Sequence, residues 1–307
     1  REVNRMEFLA ELEKIRNPFF TYIFRIFTEL GAELAVISII CAIYWCYNKK
    51  LAYRLTFGLF ISALIVQTLK ITFRIPRPWV RNPNLRPISE VIKSATGYSF
   101  PSGHTQSTTA LYGALAIGAK TWRTKVLCMI MIFGVGFSRM YLGMHTPQDV
   151  LTSLVITLIV VLIIYELSKK ELTQDGRLII ATLVGAGSIA LLAYSTILNE
   201  RNIIADPFAS DSCQAAFAGI GVAIGWYIEN RYIQFDVRTR DPRMQIVKYV
   251  VGIGIAVGFK LLTELLLPDM IIVDGIINLI LVLWILVGYP MIFQRIQWKK
   301  EKQSEHL

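Results

Sequence analysis

Charge is what this sequence has least of. Only 18% of its 307 residues are Asp, Glu, Lys or Arg, where a soluble domain carries about 25%. That shortage excludes intrinsic disorder, which needs a polar, charged chain, and it excludes an ordinary soluble enzyme. Histidine is scarce too, with three in the whole chain. The four cysteines, Cys41, Cys46, Cys128 and Cys213, form no CxxC pair, so neither a disulfide framework nor a zinc site is expected. No cleavable signal peptide is visible, and the first residue is Arg1 rather than Met, so a short upstream segment is compatible with the sequence. What abounds is apolar. Hydrophobic residues make up 54%, mean hydropathy is +0.50, and the excess is gathered in blocks of bilayer-spanning length. The fold class expected is all-α, a polytopic transmembrane helical bundle.

Nine predominantly apolar stretches, candidate spans, centre on 31–47, 53–71, 103–119, 125–142, 149–167, 177–198, 212–229, 247–267 and 273–294. Residues 1–30 precede them as an amphipathic segment broken at Pro18, too short to cross alone and read as an interfacial helix. The loops near 49–54, 120–125, 169–177 and 231–248 are basic, as is the tail after 294, whereas 199–211 and 268–275 are acidic. Cytoplasmic loops collect Lys and Arg, so the basic set and the C-terminus are placed inside. The net charge of +10 then reflects this sorting, and no nucleic-acid partner is expected. One loop breaks the rule. It follows the second span, faces outward, and carries Arg74, Arg77, Arg81, Arg86 and Lys93. Gly221 with Gly225, and Gly254 with Gly258, form GxxxG patterns that let helices approach closely.

Three outward-facing segments carry polar groups with chemical potential. Lys70 ends the second span and is followed by Arg77, with Pro76 and Pro78 stopping the helix. Pro101-Ser102-Gly103-His104 opens the third span. Ser102 can cap that helix and Gly103 lets backbone approach a ligand, so the free N–H groups suit a phosphate. Ser138-Arg139 closes the fourth span, and His145-Thr146-Pro147-Gln148-Asp149 opens the fifth, with Thr146 as N-cap. His145 and Asp149 are four apart, so the carboxylate can accept from Nδ1–H and leave Nε2 nucleophilic. The third histidine, His306, lies in the polar tail.

Taken together, Lys70–x6–Arg77–Pro78, Pro101–Ser–Gly–His104 and Ser138–Arg139–x5–His145–x3–Asp149 resemble the three-block signature of the type-2 phosphatidic acid phosphatase superfamily. The resemblance covers about residues 31–198, and Thr28-Glu-Leu-Gly31 with Tyr44-Trp-Cys46 is similar to members near the sphingosine-phosphate phosphatases. It implies that His145 attacks phosphorus to form a phosphohistidine and that Asp149 orients it. His104 would protonate the leaving alcohol and then activate water. Lys70, Arg77, Arg139, Ser102 and the Gly103 N–H would hold the phosphoryl oxygens. No Asp/Glu/His cage for a divalent ion is evident, so metal-independent catalysis without a cofactor is expected.

The expected activity is hydrolysis of a lipid phosphate monoester or diphosphate at the exoplasmic face of a bacterial cytoplasmic membrane. The partners would be that phosphorylated lipid and the surrounding membrane lipids. A phosphotransferase using the same histidine is the nearest alternative. A lipid transporter or flippase is the alternative of another class, prompted by Lys260 and Glu264 inside the eighth span, which also read as a self-neutralised pair. The expected division is an N-terminal helix (1–30), a phosphatase core (31–198), additional transmembrane helices (199–294) and a polar cytoplasmic tail (295–307). The core departs from the family pattern in having two spans plus the short helix before the first block, and about three extra spans after it.

Overall fold

The computed structural model describes residues 2–92, 95–237, 242–268 and 270–295, and among these there is helix but no strand. Lys93, Arg238, Arg240, the tail's Lys299, Lys300 and Lys302, and His306 lie outside the described residues.

The N-terminal segment is two helices, α1 (Glu2–Lys14) and α2 (Pro18–Leu30). Asn17 starts α2 by accepting from Phe20 N–H, with Pro18 at the first helical position, where a missing N–H costs nothing. Leu9 and Leu12 of α1 are buried with Leu85, against Phe137 and Met140. At Gly31 the chain bends, and α3 (Glu33–Cys46) leaves at 50° to α2. The long α4 (Lys49–Phe73) begins on an Asn48 cap and ends at Arg74, which takes a left-handed conformation with φ 50°. Two short helices, α5 (Pro78–Arg81) and α6 (Ser89–Ile92), lie in the following loop. Next come α7 (Gly103–Thr108), a π turn over Thr109–Gly113, and α8 (Ala114–Gly118). The remaining helices are α9 (Trp122–Tyr141), α10 (Pro147–Leu167), α11 (Gln174–Glu200), α12 (Asp206–Ile228), α13 (Pro242–Leu266) and α14 (Ile271–Leu283).

Six helices are long and apolar enough to cross a membrane, and the bent α2–α3 pair would make a seventh. The protein is an integral membrane protein. Three of the nine expected spans fall outside those six, each for a physical reason. The first holds only the 14-residue α3 and needs α2 to gain length. The third, Gly103–Gly118, rises about 24 Å at 1.5 Å per residue, short of a hydrocarbon core of about 30 Å. The seventh is α12, rich in Gly and Ala because it is surrounded by protein: it packs on α11, α14 and α4.

The small residues of α12 show why it sits there. A Cβ on Gly221 would lie 3.0 Å from Val282, and one on Gly225 would lie 3.0 Å from Leu286. This GxxxG face therefore sets the approach to the last helix. The second GxxxG does not behave as expected. Gly254 and Gly258 have nothing within 4 Å, and the close contact on α13 is Gly252, whose Cβ would come 2.6 Å from the Trp45 ring. Spacing alone does not reveal which face of a helix meets a neighbour.

Candidate active site

All eight sequence-predicted residues lie at one end of the bundle, at helix ends or in the loops joining them. Three are supplied by α4 and its loop and by α9. Lys70, on the last turn of α4, is 6% exposed, Arg77 is 7% exposed and Arg139 is fully buried. Arg77 sits just beyond the helix end in extended backbone, φ −62° and ψ 153°, as a residue before proline prefers. Its guanidinium then folds back. Nε donates to the Gly97 carbonyl at 3.1 Å, Nη2 donates to the Thr96 carbonyl, and Nη1 donates to the Met144 carbonyl at 3.3 Å. The same Nη1 lies 2.9 Å from His145 Nε2.

That contact decides the tautomer. An arginine can only donate, so Nε2 accepts and the ring proton sits on Nδ1. Burial, reinforced by the Arg77 charge, holds the His145 imidazole well below its usual pKa, so the ring is neutral with a lone pair on Nε2. The backbone around it is pinned: Met144 N–H and His145 N–H both donate to the Arg139 carbonyl, at 2.9 and 3.2 Å.

Asp149 behaves differently from the expectation. Its Oδ2 is 3.6 Å from His145 Nδ1, too far for a hydrogen bond. That oxygen instead accepts from Thr146 N–H at 2.8 Å and Ser99 Oγ at 2.7 Å. Thr146 Oγ1 returns the favour by accepting from Asp149 N–H, which completes a capping box at the start of α10. The carboxylate is thus fixed by the helix start and faces the imidazole as a nearby charge.

The start of α7 is built in the same way. Ser102 Oγ accepts from Thr105 N–H at 3.4 Å, Ser102 N–H donates to the Asp149 carbonyl at 3.1 Å, and Ser153 Oγ donates to the Ser102 carbonyl at 2.6 Å. Gly103 is close to the ammonium of Lys70: a Cβ there would lie 3.8 Å from Nζ. His104 is partly exposed and within electrostatic reach of Arg139, His145, Lys70 and Arg77. Arg139 donates through Nη1 to Thr28 Oγ1 at 2.7 Å, while its Nε has no partner among the described residues. Three cations, two imidazoles and a helix N-terminus are therefore within electrostatic reach of one another. Such a set can neutralise an oxyanion and present a nucleophile to it.

Sequence reasoning missed the supporting residues. Thr28 comes from α2, Ser99 and the Thr96 and Gly97 carbonyls come from the loop, and the carboxylates of Glu33 and Asp211 are electrostatic neighbours of Lys70. In the sequence Thr28 stands out only as part of the Thr28–Gly31 stretch, and Asp211 only as one acid of the 199–211 loop. Among the described residues no three His, Cys, Asp or Glu side chains are placed to share a metal ion.

Residues 51–173, which hold all three blocks, match the PAP2 superfamily. Residues 213–301 match the transmembrane extension of PAP2 superfamily phosphatases. The chain belongs to the PAP2 superfamily. Mouse sphingosine-1-phosphate phosphatase 2 is 24% identical over 248 residues, covering 78% of this chain and 67% of that protein. Undecaprenyl-diphosphatase BcrC of Bacillus subtilis is 37% identical over 115 residues, 36% of this chain and 52% of that one. Phosphatidylglycerophosphatase B of the same organism is 27% identical over 146 residues, 45% of this chain and 70% of that one. The chain spans about two thirds of the mouse protein, 64% of its human counterpart and 39% of the Dictyostelium discoideum one. No solved structure matches it. PAP2 membership, with relatives that are phosphatases by name, places the chain among phosphoric ester hydrolases.

Proposed function

We propose that this PAP2 member hydrolyses a lipid phosphate monoester or diphosphate, without a metal, through a phosphohistidine on His145. The observation that carries the reading is the neutral, buried imidazole whose Nε2 lone pair is aimed at the Arg77 guanidinium. A phosphoryl group entering there satisfies both partners at once. Its oxygen accepts from the guanidinium as phosphorus meets Nε2.

In the first step the Nε2–P bond forms and the P–O bond to the lipid breaks. His104 gives a proton to the departing oxygen, which leaves as an alcohol from a monoester or as a lipid monophosphate from a diphosphate. In the second step His104 takes a proton from water, the hydroxide attacks phosphorus, and the P–N bond breaks to release phosphate and restore His145. Lys70, Arg77, Arg139, Ser102 and the Gly103 N–H hold the phosphoryl oxygens throughout. Asp149 stabilises the ring through its nearby charge and through the loop it caps. Phosphoryl transfer needs positioning and charge neutralisation more than covalent help from a metal.

This end of the bundle is exoplasmic and the C-terminus cytoplasmic in the same reading, which the basic loops at the other end support. In this reading residues 31–198 form the catalytic core, 1–30 a helical lead-in, 199–294 a membrane extension and 295–307 a tail. The test is a quench in denaturant at mildly alkaline pH, because a P–N bond is lost in acid, after mixing the purified protein with a labelled lipid phosphate. Label on His145, lost in His145→Ala, is the expected result; label on a serine or aspartate overturns the mechanism.

A further inference from the structure

The PAP2 match begins at residue 51, yet one cation of the site is held from outside it. Arg139, on the last turn of α9, is fully buried. Its guanidinium makes one hydrogen bond among the described residues, from Nη1 to Thr28 Oγ1 of α2 at 2.7 Å, and its Nε is buried without a partner. Glu29 is an electrostatic neighbour only, and among the described residues no carboxylate bonds the group. A buried guanidinium is ordinarily fixed by a carboxylate through two parallel bonds. Here a single neutral hydroxyl stands in that place.

The packing of α2 brings Thr28 to this point. Phe19, Tyr22, Ile26 and Leu30 recur at helical spacing and form the exposed face of the helix. At about 100° per residue Thr28 falls on the opposite face, where it is buried. On that inner side Phe24 packs against the rings of Phe137 and Tyr141 of α9, at centroid distances of 5.2 and 4.6 Å. The elbow at Gly31 closes the approach. A Cβ there would lie 2.5 Å from Thr108 Oγ1 and from Val135, and Ser107 Oγ donates to the Gly31 carbonyl at 2.7 Å. Thr28 is therefore fixed both by α9 and by α7, the helix that carries His104.

A carboxylate partner would neutralise Arg139 and compete with a phosphate for its donors. A hydroxyl fixes the guanidinium and leaves the charge and the other N–H groups to a ligand. We propose that Thr28 is a positioning residue for phosphoryl transfer, acting through Arg139. Its hydroxyl accepts from Nη1, sets the plane of the guanidinium and keeps the remaining donors for the phosphoryl oxygens. None of the three signature blocks contains Thr28, so the motif does not reveal this role. The inference rests on the phosphatase reading and adds to it a residue of the N-terminal helix pair.

The test uses the purified full chain in detergent. It compares Thr28→Val, which keeps the shape and removes the acceptor, with Thr28→Ser, which keeps the acceptor. The readouts are single-turnover transfer of label from lysophosphatidate to His145 and affinity for orthovanadate, a mimic of the phosphoryl group in transfer. Thr28→Val is expected to lower both by about tenfold or more, while Thr28→Ser stays within about threefold of the wild type. In an Arg139→Met background Thr28→Val should have no further effect, because the two residues act as a unit. Equal losses from valine and serine would mean that Thr28 acts by packing alone, and no loss from valine would mean that the hydroxyl is idle. An undiminished loss in the Arg139→Met background would mean that it acts elsewhere; each of these overturns the proposal. Thr28→Cys, with a small side chain and a weak acceptor, should follow valine and repeats the comparison if the valine chain does not fold. A wild type that neither binds orthovanadate nor labels His145 defeats the underlying phosphatase reading instead.

Discussion

The two ends of the bundle both bury charge, and they do so in opposite ways. At the end remote from the site, Lys49 Nζ is 2.6 Å from Glu229 Oε1 and 2.7 Å from the Phe235 carbonyl. Glu229 also accepts from Tyr53 Oη and from Phe235 N–H at 2.9 Å. Lys248 donates to the carbonyls of Trp45 at 2.8 Å and Val237 at 3.1 Å, beneath the rings of Phe235 and Phe293. Lys49, Glu229 and Lys248 are each matched, and the matches join α3 and α4 to α13 and the turn that follows α12. At the site end, the Lys70 ammonium makes no hydrogen bond among the described residues, and Arg139 Nε, His145 Nδ1 and Asp211 Oδ2 are buried without partners. Buried polar groups are nearly always satisfied, so a cluster that is not satisfied marks where a ligand completes the set. The remote cluster holds the helices together; the site cluster is held by them.

The sharpest way to break this comparison is to remove one member from each end. His145→Ala should lower turnover by about 10⁴-fold or more, with the melting temperature nearly unchanged. Glu229→Ala should do the reverse. Lys49 would lose its carboxylate partner and Glu229's other donors would go unmet, costing about 3 kcal/mol of stability. The surviving folded fraction should keep its specific activity, as read from thermal unfolding alongside assays normalised to folded protein.

A smaller effect is expected at Asp149. Asparagine can still accept from Thr146 and Ser99, so Asp149→Asn should keep the α10 start and lose only the charge facing the ring, for about a 10²-fold drop in turnover. The pH profile separates Arg77 from its neighbours. The folded-state pKa of His145 is depressed, so the ring stays neutral at pH values where a free histidine is protonated. Removing the Arg77 charge raises that pKa, so Arg77→Gln should shift the acid limb of single-turnover phosphorylation to higher pH, besides slowing it. An unmoved limb would show that Arg77 does not set the state of the ring. The smallest effect belongs to the basic loop. Neutralising Arg81, Arg86 and Lys93 together should raise KM by a few-fold at low salt, leave kcat unchanged, and lose this effect at 1 M salt, where the Debye length is about 3 Å.

What the sequence revealed divides along the same line as the chemistry. The Ser102 and Thr146 caps, the Pro76–Pro78 stop after α4 and the break at Pro18 were legible, because each is a local rule acting over a few residues. The gathering of Lys70, His104, Arg139 and His145 at one end followed from counting alternating loops. The partners of these residues were hidden. Thr28 meets Arg139 from 111 positions away, and Ser99 meets Asp149 from 50 away. Such pairs depend on how helices pack, which periodicity does not encode. The same blindness made Gly254 and Gly258 look like a contact face, and made Gly103–Gly118 look like a full crossing.

That last element has a consequence for the membrane itself. Residues 105–111 are buried within the protein, so the shortfall of Gly103–Gly118 is not met by lipid tails closing over its end. The neighbouring α9 and α10 run for 20 and 21 residues, about 6 to 8 Å longer at 1.5 Å per residue. Ser102 bonds through its N–H to the Asp149 carbonyl and through its carbonyl to Ser153, so the helix start bearing Ser102, Gly103 and His104 lies about a turn inside the start of α10. A phosphate reaching it must descend from the headgroup plane and shed part of its hydration on the way. Bilayer thickness then becomes a control on catalysis: a thicker membrane lifts the headgroups away from that helix start, and a thinner one brings them down to it.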